Sequence, residues 1–239
     1  MKYKKNLISI ITTAYNEEKN IERSISSWDK WLLYNKLSYE IIVYDDGSKD
    51  KTFKILKNLN KKYPNLHILH NNKNHGYGYG MRQALKKSKG NYIVTIDSDN
   101  QYFLSNIKIF LDKIKTKKNM FFTGHRLKKK DTFLKVFADL ILRRIVKFIF
   151  NTQLIDTNCA LKMFDASLLK KIKLKSKDYT FPTELCLKVE SLGIKIIDLP
   201  IKHSHRTDGR SGINLIFTSI KFLLFLIKLK LELLLNEKK

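Results

Sequence analysis

Cysteine, proline and glycine are all scarce in this chain. There are 2 cysteines, 3 prolines and 9 glycines among 239 residues. Cys159 and Cys186 form neither a CxxC pair nor any metal-ligand spacing, which excludes a disulfide scaffold and a zinc module. They read as two buried thiols in a reducing compartment. So few glycines and prolines leave little room for long flexible linkers. Acids are scarce too: 22 Asp and Glu face 47 Lys and Arg, a formal charge of +25. That excludes an acidic mimic of a nucleic acid and favours polyanionic partners, whether nucleic acid, phosphorylated small molecules or an anionic membrane face. Most of the positive charge is lysine. Arginine, whose planar fork suits base reading, is rare, so the balance leans toward phosphate or membrane. No uncharged apolar run reaches the ~18–20 residues needed to span a bilayer. The run Leu7–Ile11 is too short for a secretory signal and has no small-residue cleavage site after it. The expectation is a chain that begins near Met1 and stays cytoplasmic.

What is present is enough for a full core. Hydrophobic residues make up 43% and aromatics 11% of the chain, and a domain of this length needs no staple. Leu7–Thr13 reads as a strand buried on both faces. Glu18–Tyr34 carries Ile21, Ile25, Trp28 and Leu32 at helical spacing. Glu40–Tyr44 is a second strand. The next helix has Ser48 or Asp50 as its cap and Phe53, Leu56 and Leu59 on its inner face. Leu66–His70 is a third strand. Gly76, Gly78 and Gly80 punctuate a turn into a helix that Gly90 closes, and Tyr92–Ile96 is a fourth strand. This βαβαβαβ order predicts an α/β fold with a parallel sheet flanked by helices on both faces. The second half reads as a strand at Phe121–Gly124, a long helix over Thr132–Phe150 and an extended stretch over Leu154–Phe164. A helix over Tyr179–Leu192 and a strand over Ile194–Ile201 follow. From Ile213 the chain is very apolar, with Lys221, Lys228 and Lys230 at intervals. The reading is a domain over 1–212 and a membrane-associated amphipathic helix over 213–239, docked in the interface rather than buried in a core.

Ligands of open parallel sheets bind beyond the carboxyl ends of the strands. Three acid-bearing segments fall there: Tyr15–Asn16–Glu17, Asp45–Asp46 and Asp97–Ser98–Asp99. Asp97 and Asp99 stand one residue apart and repel each other unless a cation lies between them. A hard divalent ion such as Mg²⁺ or Mn²⁺ resolves this and bridges to substrate phosphates, with Gln101 as a possible third ligand. Nucleotide signatures of other kinds are missing. No GxxxxGK[ST] loop occurs. Gly76-Tyr77-Gly78-Tyr79-Gly80 lacks the GxGxxG spacing, and reads as a turn that lets backbone approach a ligand or another helix.

With TTAYNEEKNI, IIVYDDGSKDKT, NHGYGYGMRQAL, DSDNQ, TGHR, DTNCALKMF, FPTELCLKVE and HRTDGRSG in this order, the chain resembles glycosyltransferase family 2 with its GT-A fold. Within that family it is most similar to the polyprenyl-phosphate glycosyltransferases, the group that includes dolichyl-phosphate mannosyltransferase. The resemblance runs from about Leu7 to Asn214. It implies a mostly parallel, Rossmann-like sheet and an inverting, metal-dependent transfer from a UDP- or GDP-linked sugar to a polyprenyl phosphate. It also implies a peripheral protein on the cytoplasmic face of a membrane, with no nucleic-acid partner. The sequence is compatible with a homo-oligomer and does not specify one.

The same resemblance assigns Thr13, Tyr15 and Glu17 to the nucleoside. Asp46 falls to the base with Tyr44 beside it, Asp97, Ser98 and Asp99 to metal and diphosphate, and Gln101 to the metal. Arg126 and Arg206 fall to phosphate oxygens. The family places a lysine where Gly212 stands here, with Arg210 or Lys202 as substitutes. A polyprenyl phosphate acceptor is already largely dianionic, its second pKa being about 6. Arg126, Arg143, Arg144 and Arg206 would then hold its phosphate, with Asp156 or Glu184 orienting groups. A saccharide hydroxyl acceptor would instead need a general base, for which Glu184 and Asp156 are the candidates. A third reading is a basic, non-enzymatic polyanion-binding module. The acids at three strand ends argue against it, since they would repel a phosphate backbone.

Overall fold

The computed structural model describes residues 6–114, 120–127, 133–204 and 215–236. Arg206, Arg210, Gly212, His205 and Lys128–Lys130 lie outside the described residues. The first half is the expected alternation: β1 (Ile8–Ala14), α1 (Ile21–Tyr34), β2 (Tyr39–Asp46), α2 (Thr52–Lys62), β3 (Leu66–Asn71), α3 (Tyr77–Lys87) and β4 (Tyr92–Thr95). β1 pairs in parallel with β2 and β4, and β2 with β3. All four carboxyl ends therefore share one edge of the sheet. The order β3-β2-β1-β4 reverses at β1, so the switch point lies between β1 and β4.

The second half completes a seven-stranded sheet in the order β3-β2-β1-β4-β6-β5-β7. It contains α4 (Ile107–Leu111), β5 (Phe121–Arg126), α5 (Phe133–Phe150), β6 (Lys162–Asp165), α6 (Phe181–Glu190), β7 (Ile196–Ile201) and α7 (Leu215–Asn236). β6 runs antiparallel to both β4 and β5, and β5 is parallel to β7. Of the stretch expected to be extended over Leu154–Phe164, only its end is strand. Residues 152–161 form turns that bury Asp156 and Thr157. Their backbone is held by side chains rather than by a ladder: the buried Lys162 ammonium donates to the Thr157 carbonyl and to Thr123 Oγ1, both at 3.1 Å.

Alternation along the buried strands loads both faces. Ile8, Ile10, Ile41 and Val43 pack on α1, α2 and α4 through Ile25, Leu56 and Ile107. Ile11, Ile42 and Ile93 pack on α3 and α6 through Met81, Ala84 and Leu185. Both cysteines are free and buried in these layers. A smaller cluster joins α5 to α7 and α6 through Val146, Leu187, Phe222, Leu226 and Leu229. The last helix thus packs one face on the domain and leaves Ile220, Leu224, Ile227, Leu231 and Leu235 exposed.

The glycine punctuation has a specific cause. A Cβ on Gly78 would lie 2.7 Å from the Ser176 carbonyl oxygen and 2.8 Å from that of Asp178. Gly76 has φ +98, and a Cβ there would overlap the Lys177 carbonyl. The backbone that these glycines admit belongs to the chain itself, the loop leading into α6. Gly90 does not close α3, which ends at Lys87. It passes against β1 instead, its N–H donating to Ser9 Oγ at 2.8 Å.

Candidate functional site

The three acid-bearing strand ends meet on one rim, but their carboxylates are used differently. Asp46 is buried and accepts the N–H groups of His75 (2.9 Å) and Gly76 (2.7 Å). It fixes the entry to α3. Asp45 is fully buried, accepts the Ser48 hydroxyl, and pairs with His70 Nδ1 at 2.7 Å. Neither expected cap of α2 stands at the N-cap position, which is Lys51 and has no side-chain cap bond; Asp50, one residue earlier, accepts the Thr52 N–H at 2.9 Å. Ser48 reaches back to the Asn16 N–H at 3.0 Å. Glu17 accepts Asn20 Nδ2 at 2.7 Å and opens the turn into α1. Tyr15 is exposed just beyond β1, and Thr13 and Tyr44 line the floor where Gly80 lets α3 approach. Ser98 is buried and donates to the Thr13 carbonyl at 2.9 Å.

Asp97 and Asp99 remain at the mouth of the switch point. Asn100, with φ +60, turns the chain immediately after them. It is held by Ser24 Oγ (2.8 Å) and donates to the Asn20 carbonyl (3.2 Å). Asparagine tolerates this left-handed backbone better than other side chains do. Asp99 accepts the Gln101 N–H at 3.1 Å, and Gln101 Nε2 points to the Ser204 carbonyl at 3.5 Å. Gln101 therefore meets Asp99 through its main chain. The Tyr77 hydroxyl donates to Asp97 Oδ1 at 2.9 Å.

Burial, and next the neighbouring Asp99 carboxylate, push the Asp97 carboxyl up to about 7, while the Tyr77 hydrogen bond and Arg126 pull it down. A carboxyl this crowded is one that a divalent cation would relieve, so the pair fits such an ion. Among the described residues no three His, Cys, Asp or Glu side chains converge as a metal cage. A cation here would complete its shell with substrate oxygens and water, as Mg²⁺ commonly does.

The Asp97 shift predicts a pH dependence of the metal-free protein. The folded state holds this proton up to about 7, whereas an unfolded Asp releases it near 3.9. The native state therefore binds more protons over that interval. Stability from this group is greatest below the unfolded pKa and falls as pH rises toward 7. Asp97→Asn should flatten that slope and raise Tm at pH 8, on the order of 2–4 °C per kcal/mol relieved. Thermal denaturation in chelator at pH 5, 6, 7 and 8 measures it. Parallel profiles for wild type and variant would contradict the assignment.

Beside this pair lies a second cluster. Arg126 ends β5, and its Nε and one terminal nitrogen reach Asp156 at 2.7 and 3.1 Å. Arg143, on α5, reaches the same carboxylate at 2.8 Å and Asp139, one turn earlier, at 2.6 Å. Asp156 is fully buried, so two cations converge on one desolvated anion. The adjacent Arg144 faces solvent. Helical spacing separates two side chains that sequence reading had grouped. Glu184 is also buried. It accepts the N–H groups of Lys175 and Ser176, both at 2.8 Å, and pairs with Lys188 at 2.8 Å. Its place is behind α3, where it anchors the loop that the glycines admit. Neither candidate base presents a carboxylate unburdened by its own chain.

Sequence reading missed Tyr77, Asn100 and Asp139. Asn100 was findable, as an Asn directly following strand-end acids. Asp139 and Arg143 stand at i and i+4, also a readable signal. Tyr77 carried none.

Residues 9–176 match the family profile "Glycosyl transferase family 2". A dolichyl-phosphate beta-glucosyltransferase of Trichomonas vaginalis is 26% identical over 212 residues, covering 82% of this chain and 65% of its own length. The chain thus spans less than two thirds of that relative. An uncharacterised protein of Methanocaldococcus jannaschii is 30% identical over 203 residues, 80% of this chain and 85% of that one. Among solved structures, the glucosyl-3-phosphoglycerate synthase of Mycobacterium tuberculosis, in complex with Mn²⁺, UDP and glucosyl-3-phosphoglycerate, aligns with a TM-score of 0.73 at 19% identity. The alignment covers 94% of this chain and 80% of that one. The shared fold is GT-A.

Proposed function

Because the chain belongs to glycosyl transferase family 2, we propose that this glycosyltransferase moves a sugar, glucose being the first to test, from UDP to a polyprenyl phosphate at a membrane surface. The observation that carries the reading is α5. One helix places Arg143 in the buried arginine–carboxylate cluster beside Asp97 and turns Phe137, Leu140, Ile141 and Phe148 outward. Phe148 is 90% exposed. A guanidinium suited to phosphate and an apolar surface suited to acyl chains thus share one element. The exposed stripe of α7 lies on the neighbouring helix. Among the described residues no helix is long and apolar enough to cross a membrane, so the two helices are proposed to lie in the interface, with lysines toward anionic headgroups.

In the proposed reaction Asp97 and Asp99 would hold a divalent ion, Mg²⁺ or Mn²⁺, which would supply charge neutralisation for the departing diphosphate. Arg126 and Arg143 orient the acceptor phosphate, and their positions are held by Asp156 and Asp139. The acceptor oxygen attacks the anomeric carbon opposite the leaving UDP, which inverts configuration in a single displacement. A phosphate nucleophile is already anionic near neutral pH. This agrees with the commitment of both Asp156 and Glu184 to cations of their own chain. A hydroxyl acceptor would need a base that neither supplies in this arrangement.

The test uses the full chain with labelled UDP-glucose, a polyprenyl phosphate in phosphatidylglycerol vesicles, and Mn²⁺. Label is expected in an organic-extractable, acid-labile product. The protein should float with the vesicles, and Phe148→Asp with Leu224→Asp should reduce both flotation and transfer. Transfer to a free saccharide but not to the lipid phosphate would overturn the acceptor assignment.

A further inference from the structure

We propose that Tyr77 is a positioning residue that sets the Asp97 carboxylate for a nucleotide-bound divalent cation. The inference rests on the reading of Asp97 and Asp99 as the cation carboxylates, and it explains why a tyrosine stands between Gly76 and Gly78. Tyr77 is the first residue of α3, and its backbone is fixed from two sides. Asp46 accepts the N–H groups of the two preceding residues. The 176–178 loop closes on Gly76 and Gly78, with the Tyr79 N–H donating to the Lys177 carbonyl at 3.2 Å. The Tyr77 ring meets Phe181 edge-on, with centroids 6.2 Å apart and planes at 71°. Backbone and ring are both located, so the hydroxyl is delivered to one point, 2.9 Å from Asp97 Oδ1.

That point matters because an aspartate carboxyl turns through a broad, nearly two-fold torsion. Among the described residues Tyr77 is the one hydrogen-bond partner of the Asp97 side chain. A single donor on Oδ1 selects the plane of the group and leaves Oδ2 to a cation. The donor is neutral. A lysine at this place would compete with the cation for the carboxylate, and a phenylalanine would leave the plane unset. The tyrosyl hydroxyl aligns the carboxylate without discharging it, as outer-shell partners of metal ligands do.

The test compares wild type, Tyr77→Phe, Asp97→Asn and the double variant as full-length proteins. The probe is Mn²⁺ in the presence of UDP, with free Mn²⁺ read by electron paramagnetic resonance. Tyr77→Phe should weaken Mn²⁺ binding about tenfold or more, with Tm within a few degrees of wild type. Turnover should recover at saturating Mn²⁺, so that the half-saturating concentration moves and kcat changes little. In the Asp97→Asn background, Tyr77→Phe should add no further loss. Unchanged Mn²⁺ binding in Tyr77→Phe, or losses that add in the double variant, would overturn the role of Tyr77 while leaving the cation site standing. Full Mn²⁺ binding in Asp97→Asn would overturn the cation reading, and this proposal with it.

Discussion

Replacing Asp99 with Asn is expected to cut sugar transfer by about three orders of magnitude while leaving the fold intact. The substitution removes one of two charges that would hold the cation, and with it much of the stabilisation of a departing diphosphate. Its structural cost is small. The Gln101 N–H that donates to Asp99 Oδ1 at 3.1 Å finds an equivalent oxygen on the Asn side chain. The metal-free protein should even gain stability, because Asp99 is one of the causes that push the Asp97 carboxyl up to about 7. The two readouts therefore move in opposite directions. Turnover with UDP-glucose collapses, and thermal denaturation in chelator shifts upward. A variant that lost activity and stability together would point to a structural role for Asp99. One that kept full activity would remove the pair from the chemistry.

Asp156→Ala should be among the most destabilising substitutions in the chain. The carboxylate is fully buried and takes three charge-assisted contacts, two from Arg126 and one from Arg143. Removing it leaves two largely buried guanidinium groups to share Asp139, which lies 2.6 Å from Arg143 and 3.9 Å from Arg126. Breaking a buried ion pair from one side typically costs about 3–5 kcal/mol, on the order of 10 °C in Tm for a chain of this size. Adding Arg143→Gln should recover part of that loss, since it removes one of the stranded charges. The coupling between the two sites is expected to be larger than the sub-kcal/mol value of an exposed pair. Additive effects in denaturant titrations would mean that water already reaches the cluster.

These variants separate two kinds of information. Hydrophobic period was enough for β1 to β4 and for the helices between them, because each of those elements buries a face that its own spacing defines. The same spacing located Asp97 and Asp99 at a strand end, and the ordered set of segments identified the family. The expectation of a long extended run over Leu154–Phe164 failed for a physical reason. That segment satisfies its backbone through the Lys162 ammonium and the side chains around it, and no periodic pattern marks such contacts.

The sequence by itself determined the doubly faced sheet, the rim on which its scarce acids collect, and the apolar character of the last helix. Only the tertiary structure decided what each acid does. Asp46 and Glu184 each accept two backbone N–H groups of their own chain. Asp156 joins Arg126, thirty positions away, to an arginine on another element, and Asp97 meets a tyrosine twenty positions earlier. A side chain's type and spacing say which bonds it can make. Which bond it makes depends on what the fold brings within about 3 Å of it, and that neighbour is set by long-range packing that no local pattern records.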